Sequence, residues 1–189
     1  MSQFNPRQHG IFLITTNAKD REPWCLNSGI PEILIESLWI SKEIYSAKLY
    51  AFCILPDHVH FILDPGKRGL SKFMQSFKSN SSRSIRRFRN ARNSQVSGEH
   101  VLSADPFTTD QFANFAADFA GGIFHGWQHG FDSRGIATVD GMARAKRYVE
   151  HNAARHRLVR RAKNWPWTSV HWGQMMDVPP QQYTIFRHA

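Results

Sequence analysis

The chain has 189 residues, with 24 Lys and Arg against 15 Asp and Glu, giving a formal net charge of +9 and a pI near 10.0. This length suits a single domain with its own core. The positive excess favours a polyanionic partner, nucleic acid before an anionic membrane surface, without choosing an activity. Only Cys25 and Cys53 are present, which argues against a disulfide framework or a cysteine zinc site and leaves a reducing compartment as the expectation. The N-terminal residues have no apolar core of signal-peptide length and no later run spans a bilayer, so a soluble, cytoplasmic protein is expected.

In chain order, Ile11 to Asn17 (IFLITTN) is a short β-rich run closed by Asn17-Ala18-Lys19-Asp20 and reads as a first strand. From Ile30 to about Ala47, the spacing of Ile33, Leu34, Leu38 and Trp39 fits one face of a helix that tolerates Pro31 in its first turn. Two paired strands follow, Leu49 to Leu55 and His58 to Leu63, linked by Pro56-Asp57 and closed by Pro65-Gly66. A second helix is predicted from Leu70 to about Phe88, with Leu70, Phe73, Met74, Phe77, Ile85 and Phe88 as a core stripe. Its other side carries Lys72, Lys78, Arg83, Arg86, Arg87 and Arg89, which reads either as a solvated face or as a set of phosphate contacts. The Ser79 to Ser82 patch is expected to weaken the middle of this helix.

From about 90 to 122 the pattern lapses into small and polar residues, predicting an insertion or mobile loop with a short helix near Thr109 to Phe119. A further strand is expected near Gly130 to Ile136, and His125 and His129 read as surface histidines. The last helix starts near Thr138 or Asp140 and runs to about His156, with Val139, Met142, Ala145, Val149 and Ala153 as its apolar stripe. Tyr148 and Asn152 lie together along one border of that stripe. Taken alone, such a tyrosine is an ordinary rim residue. Arg144, Lys146, Arg147, Arg155, Arg157, Arg160 and Arg161 surround it with positive charge, and Asn164 to Ser169 (NWPWTS) reads as an aromatic anchor docking the tail on the body.

The run Leu49 to Pro65 (LYAFCILPDHVHFILDP) organises the rest. Strand alternation turns His58 and His60 to one face while Val59, Phe61 and Leu63 turn to the other. Two imidazoles on one face of a rigid strand can share a divalent cation. The alternative is a solvent-facing edge with two incidental histidines. No Gly-rich phosphate loop and no serine or cysteine nucleophile motif is present.

The element order predicts an α+β fold: a ferredoxin-like (split βαβ, RRM-like) antiparallel sheet with helices packed on it, forming one domain over 1–189. LPDHVHFIL resembles the metal-binding motif of the HUH superfamily. Together with WQHGF, YVEHNAARHRLV and NWPWTS in that order, it is similar to the single-tyrosine transposases, in particular the REP-associated branch.

The resemblance implies a metal-dependent strand transferase acting on single-stranded DNA with hairpins. His58 and His60 would hold Mg²⁺ or Mn²⁺, with Asn152 at the position of a third ligand and Tyr148 as the nucleophile. Lys78, Arg83, Arg86, Arg87, Arg144, Arg147 and Arg155 are the expected contacts to the DNA backbone, and the protein would work as a monomer or homodimer. Imidazole pairs also admit zinc, so the choice of magnesium or manganese rests on the resemblance. Where the family usually has proline after the asparagine of its tyrosine helix, this chain has Ala153, which predicts that the helix continues. Two other functions fit the residues: a non-catalytic basic module for structured single-stranded nucleic acid, and a hydrolase using the histidine pair to activate water.

Overall fold

A computed structural model describes residues 8–95 and 121–181. A four-stranded antiparallel sheet in the order β2-β3-β1-β4 is formed by β1 (Ile11–Asn17), β2 (Lys48–Ile54), β3 (His58–Asp64) and β4 (Asp132–Ile136). This is the expected ferredoxin-like order, with strand limits within a residue or two of those read from the sequence. β3 is central, and it is buried from His58 to Leu63, histidines included. A central strand has neighbours on both sides and layers on both faces, so even its histidines lie inside the molecule.

One face is covered by α1 (Ile30–Tyr45) and α2 (Leu70–Gln95). Phe61 of β3 meets Phe73 and Phe77 of α2 at ring-centroid distances of 6.4 and 5.6 Å, so the non-histidine face of β3 looks toward these helices. α1 is preceded by Gly29, whose φ of 78° is left-handed and favours glycine over any residue with a side chain.

α2 runs past the expected end at Phe88 to Gln95, which corrects the loop expected to begin at 90. Residues 89–95 contain neither glycine nor proline, so nothing local stops the helix. The Ser79 to Ser82 patch does not interrupt it either. The Ser81 hydroxyl donates to the Phe77 carbonyl at 2.7 Å and accepts from the Trp127 indole at 2.9 Å, so its polar groups are satisfied without unwinding the backbone. The helix expected near 109–119 and most of the 90–122 segment lie outside the described residues.

The opposite face is covered by α3 (Val139–Glu150) and a single further turn, α4 (Asn152–Arg155). Thr138 caps α3, its hydroxyl accepting from the Gly141 amide at 3.0 Å. Met142, Val149 and Ala153 are buried, but Val139, the first residue of the helix, is 53% exposed and does not belong to the expected stripe. The continuous helix expected through Ala153 is also corrected. It breaks at His151 (φ −96°, ψ 6°), where the ring Nδ1 hydrogen-bonds to the Arg147 carbonyl at 3.0 Å. The same carbonyl also accepts from the His151 backbone amide at 3.1 Å, and the bend forms without a proline.

The tail docks as expected. Trp165 is fully buried and its indole donates to the Ile54 carbonyl at 2.8 Å, while the Ile54 amide donates to the Trp167 carbonyl at 2.9 Å. These contacts cover the outer edge of β2. The Ser169 hydroxyl then donates to Glu150 at 3.2 Å, fastening the end of α3 to the same tail.

Candidate active site

His58 and His60 project from the β3 face turned toward α3, their rings edge to face at 4.8 Å and 89°. They are 7% and 4% exposed, so each polar ring needs a partner. For His60 it is Thr15, directly opposite on β1, whose Oγ1 lies 2.9 Å from Nδ1. For His58 it is the preceding Asp57, whose Oδ1 lies 2.5 Å from Nδ1. With Nδ1 engaged in both rings, Nε2 is the nitrogen left to accept a proton or a metal. Burial first, then the neighbouring His58 and His156, pushes the His60 pKa down to about 3. This imidazole is therefore neutral at ordinary pH, as a ligand must be. Burial works to raise the Asp57 carboxyl, but the hydrogen bond and charge of His58 and the charge of Arg21 outweigh it and hold it below the usual range.

α3 and α4 bring the remaining groups over this pair. The Tyr148 ring stands edge to face on His60 at 5.4 Å, within one chain. Arg155 lies over the Tyr148 ring at 5.2 Å, inside cation–π range. Asn152, just past the bend, is 1% exposed, and its Oδ1 has no hydrogen-bond partner. Its neighbour Ala153 is fixed on β2, where its backbone bonds the Cys53 thiol. Burial raises that thiol to about 12, which makes it inert.

The expected site residues thus divide. His58, His60 and Tyr148 meet through their rings, with Asn152 one helical turn beyond the tyrosine. Arg144, Arg147 and Arg155 are exposed on the same layer, and Arg144 joins Thr15, Arg134 and Tyr148 in lining a cleft of about 880 Å³ along β4. Arg83, Arg86 and Arg87 are exposed on α2, on the other side of the sheet. The Lys78 ammonium, also on α2, donates to the Gln128 carbonyl at 2.9 Å and to the Gly130 carbonyl, holding the loop that leads into β4.

Four neighbours of the site were not singled out in the sequence. Asp57 had a local signal, an acid directly before the first histidine. His156 stands four residues past Asn152, with its ring 5.5 Å from His58. Thr15 is revealed only by the β1–β3 register. Arg21 sits in the turn after β1, where its Nη1 contacts Asn17 Oδ1 at 2.8 Å and Asp57 Oδ2 at 3.3 Å. Asp20 and Arg21 both have left-handed backbones, with φ of 57° and 58°, at a cost of order 1 kcal/mol for a residue with a side chain. The turn is held by the Ala18 amide on the Asp57 carbonyl (2.8 Å) and the Cys25 amide on the Pro56 carbonyl (2.9 Å).

Among the described residues, no three His, Cys, Asp or Glu side chains converge as a metal site. A divalent ion here would take two imidazoles and a neutral amide oxygen. The buried, unpartnered Asn152 Oδ1 fits that donor set, since such an oxygen is costly unless something binds it.

The class of protein follows from comparison with known families. The family model of IS200-like transposases matches residues 9–109, and the chain belongs to that family. The matched span includes both histidines and ends before Tyr148. A solved structure of a REP-associated tyrosine transposase bound to a REP hairpin has the same fold, with a TM-score of 0.64 and 16% identity over 97% of this chain and 92% of that one. No curated protein matches the chain. Among the described residues, no helix is long and apolar enough to cross a membrane.

Proposed function

We propose that this chain is a metal-dependent endonuclease and strand transferase for single-stranded DNA carrying hairpins of the REP kind, with Tyr148 as its nucleophile. The observation that carries this reading is the edge-to-face contact of Tyr148 with His60, 5.4 Å between ring centroids, beside the buried, unpartnered Asn152 oxygen. His58, His60 and Asn152 would hold Mg²⁺ or Mn²⁺. Such an ion, when bound, supplies Lewis-acid polarisation of a phosphate oxygen and helps orient the phosphate.

The protein groups do the rest. Tyr148 Oη attacks phosphorus, giving up its proton, and the bond from phosphorus to the 3′ oxygen breaks. A 5′-phosphotyrosine link forms and the departing oxygen takes a proton to become a free 3′-hydroxyl. Arg155, over the ring face, favours the negative charge passing through the phenol. Thr15 and Asp57 fix the ring orientations of His60 and His58. Because the phosphotyrosine retains the bond energy of the phosphodiester, a 3′-hydroxyl can reverse the step and join strands without ATP.

Arg144, Arg147 and Arg155, on the layer that carries Tyr148, would track the backbone of the strand being cut. Arg83, Arg86 and Arg87, on the other layer, would serve a more distant part of the same DNA, and Lys78 would contribute charge while it holds its loop. The chain would act as one domain in the cytoplasm, and the contact of Tyr148 with its own His60 favours a monomeric site.

The test is a panel of hairpin oligonucleotides with single-stranded flanks, incubated with Mn²⁺ or Mg²⁺. A protein–DNA adduct should survive denaturation and map to the peptide containing Tyr148, and Tyr148→Phe should abolish it. Cleavage by Tyr148→Phe at the parent rate would refute the assignment. Salt-sensitive binding indifferent to metal and to Tyr148 would mark a non-catalytic module, and turnover without an adduct would mark a hydrolase.

A further inference from the structure

We propose that Arg21 grips the substrate phosphate at the histidine pair, an assignment that rests on the cleavage reading above. The Asp57 carboxylate joins the two groups: one oxygen lies 2.5 Å from His58 Nδ1 and the other 3.3 Å from Arg21 Nη1. Arg21 is thereby fixed one carboxylate away from a ring of the pair. Among the described residues, both of its side-chain contacts, to Asn17 and to Asp57, run through the single nitrogen Nη1. The side chain is 57% exposed, so much of the guanidinium fork faces solvent. Two parallel N–H donors in a rigid plane match the oxygens of a phosphate.

The backbone supports the same assignment. Asp20 and Arg21 are consecutive left-handed residues, neither of them glycine, and strained turns of this sort persist where the surroundings impose them. Here the surroundings are the two residues that lead into β3. The Ala18 amide holds the Asp57 carbonyl and the Cys25 amide holds the Pro56 carbonyl, at 2.8 and 2.9 Å. The turn therefore moves with the first histidine, keeping a cation beside it. A polyanionic strand laid over the pair would meet this cation on the side of His58, while Arg155 stands on the side of Tyr148.

The test compares Arg21→Gln and Arg21→Lys with the parent, using a hairpin oligonucleotide with a single-stranded flank. Affinity is measured against salt in the Tyr148→Phe background, where the strand stays uncut. Single-turnover cleavage is measured with Tyr148 intact, and Mn²⁺ affinity is measured without DNA. For Arg21→Gln the salt slope of log affinity should fall by about 0.7, the value of one phosphate contact on a single strand. Cleavage at saturating DNA should fall roughly 100-fold, as for a lost donor to a developing oxyanion, with Mn²⁺ affinity like the parent's. Arg21→Lys should keep the slope and recover part of the rate.

Parent-like slope and rate in Arg21→Gln would overturn the assignment. So would weakened Mn²⁺ binding at an unchanged slope, the pattern of a residue that merely steadies Asp57 and His58. Because the slope is read on uncut DNA, it decides the Arg21 contact even if the parent forms no adduct. That last result would count against the cleavage reading alone.

Discussion

Thr15→Val tests the second layer of the site with almost no change of shape. The substitution replaces the hydroxyl 2.9 Å from His60 Nδ1 by a methyl group, opposite a ring that is 4% exposed. Two responses are open to the imidazole. It can keep its proton on Nδ1 and lose the hydroxyl as a partner, at about 1 kcal/mol. Alternatively, it can move the proton to Nε2 and lose the lone pair that would face a metal. Either way Mn²⁺ affinity should fall about 10- to 100-fold, the usual loss for an outer partner of a ligating histidine, or roughly 1.4–2.7 kcal/mol. Calorimetric titration of Mn²⁺ into DNA-free protein measures this, and thermal unfolding of the metal-free form should show Tm lower by roughly 2–4 °C per kcal/mol. Thr15→Ser, which keeps the oxygen, should bind Mn²⁺ like the parent. A valine variant with lowered Tm but parental Mn²⁺ affinity would show that the hydroxyl only packs, and would remove His60 from the ligand set. One that changes neither would refute the hydrogen bond itself.

Asn152→Leu removes the buried, unpartnered Oδ1. Metal-free protein should unfold at the same temperature or higher, while Mn²⁺ affinity drops at least about tenfold; a marked loss of Tm would show that the amide is needed for folding. For pH, the folded His60 value of about 3 lies below the ordinary 6.5. Between those values the unfolded chain binds more protons, so stability falls as the medium is acidified. From pH 7 to 5 the loss from this group is about 2 kcal/mol, with His156 lowered in the same sense. Urea unfolding in chelator at the two pH values measures it, and equal stabilities would contradict the depressed titration. Trp165→Ala, at a fully buried ring bonded to Ile54, should destabilise by about 3–5 kcal/mol. A Tm within a degree of the parent would show that the tail does not hold the β2 edge.

The sheet and the histidine pair were legible because both depend on short-range periodicity. The alternation in HVHFIL alone turns His58 and His60 to one face, and the strand and helix order restricts the topology to very few arrangements. What could not be read depends on contacts distant in sequence. Thr15 becomes the partner of His60 only through the β1–β3 register, and Arg21 becomes a neighbour of His58 only because the turn after β1 wraps over Pro56-Asp57. The basic residues show the limit from the other side. Arg83 and Arg144 look alike as charges, yet the sheet separates the helices that carry them. The bend at the end of α3 has no proline to announce it in the sequence.

The clasp at Trp165 to Ser169 sets an order in time. During synthesis the imidazole hairpin emerges early, the phenol much later, and the residues that fasten both layers last. An unfinished polypeptide therefore carries only the two imidazoles of the proposed centre, and neither the phenol nor the Asn152 amide, until the later helices emerge. On that reading, a ribosome-bound copy is harmless to nearby DNA until the clasp residues are in place.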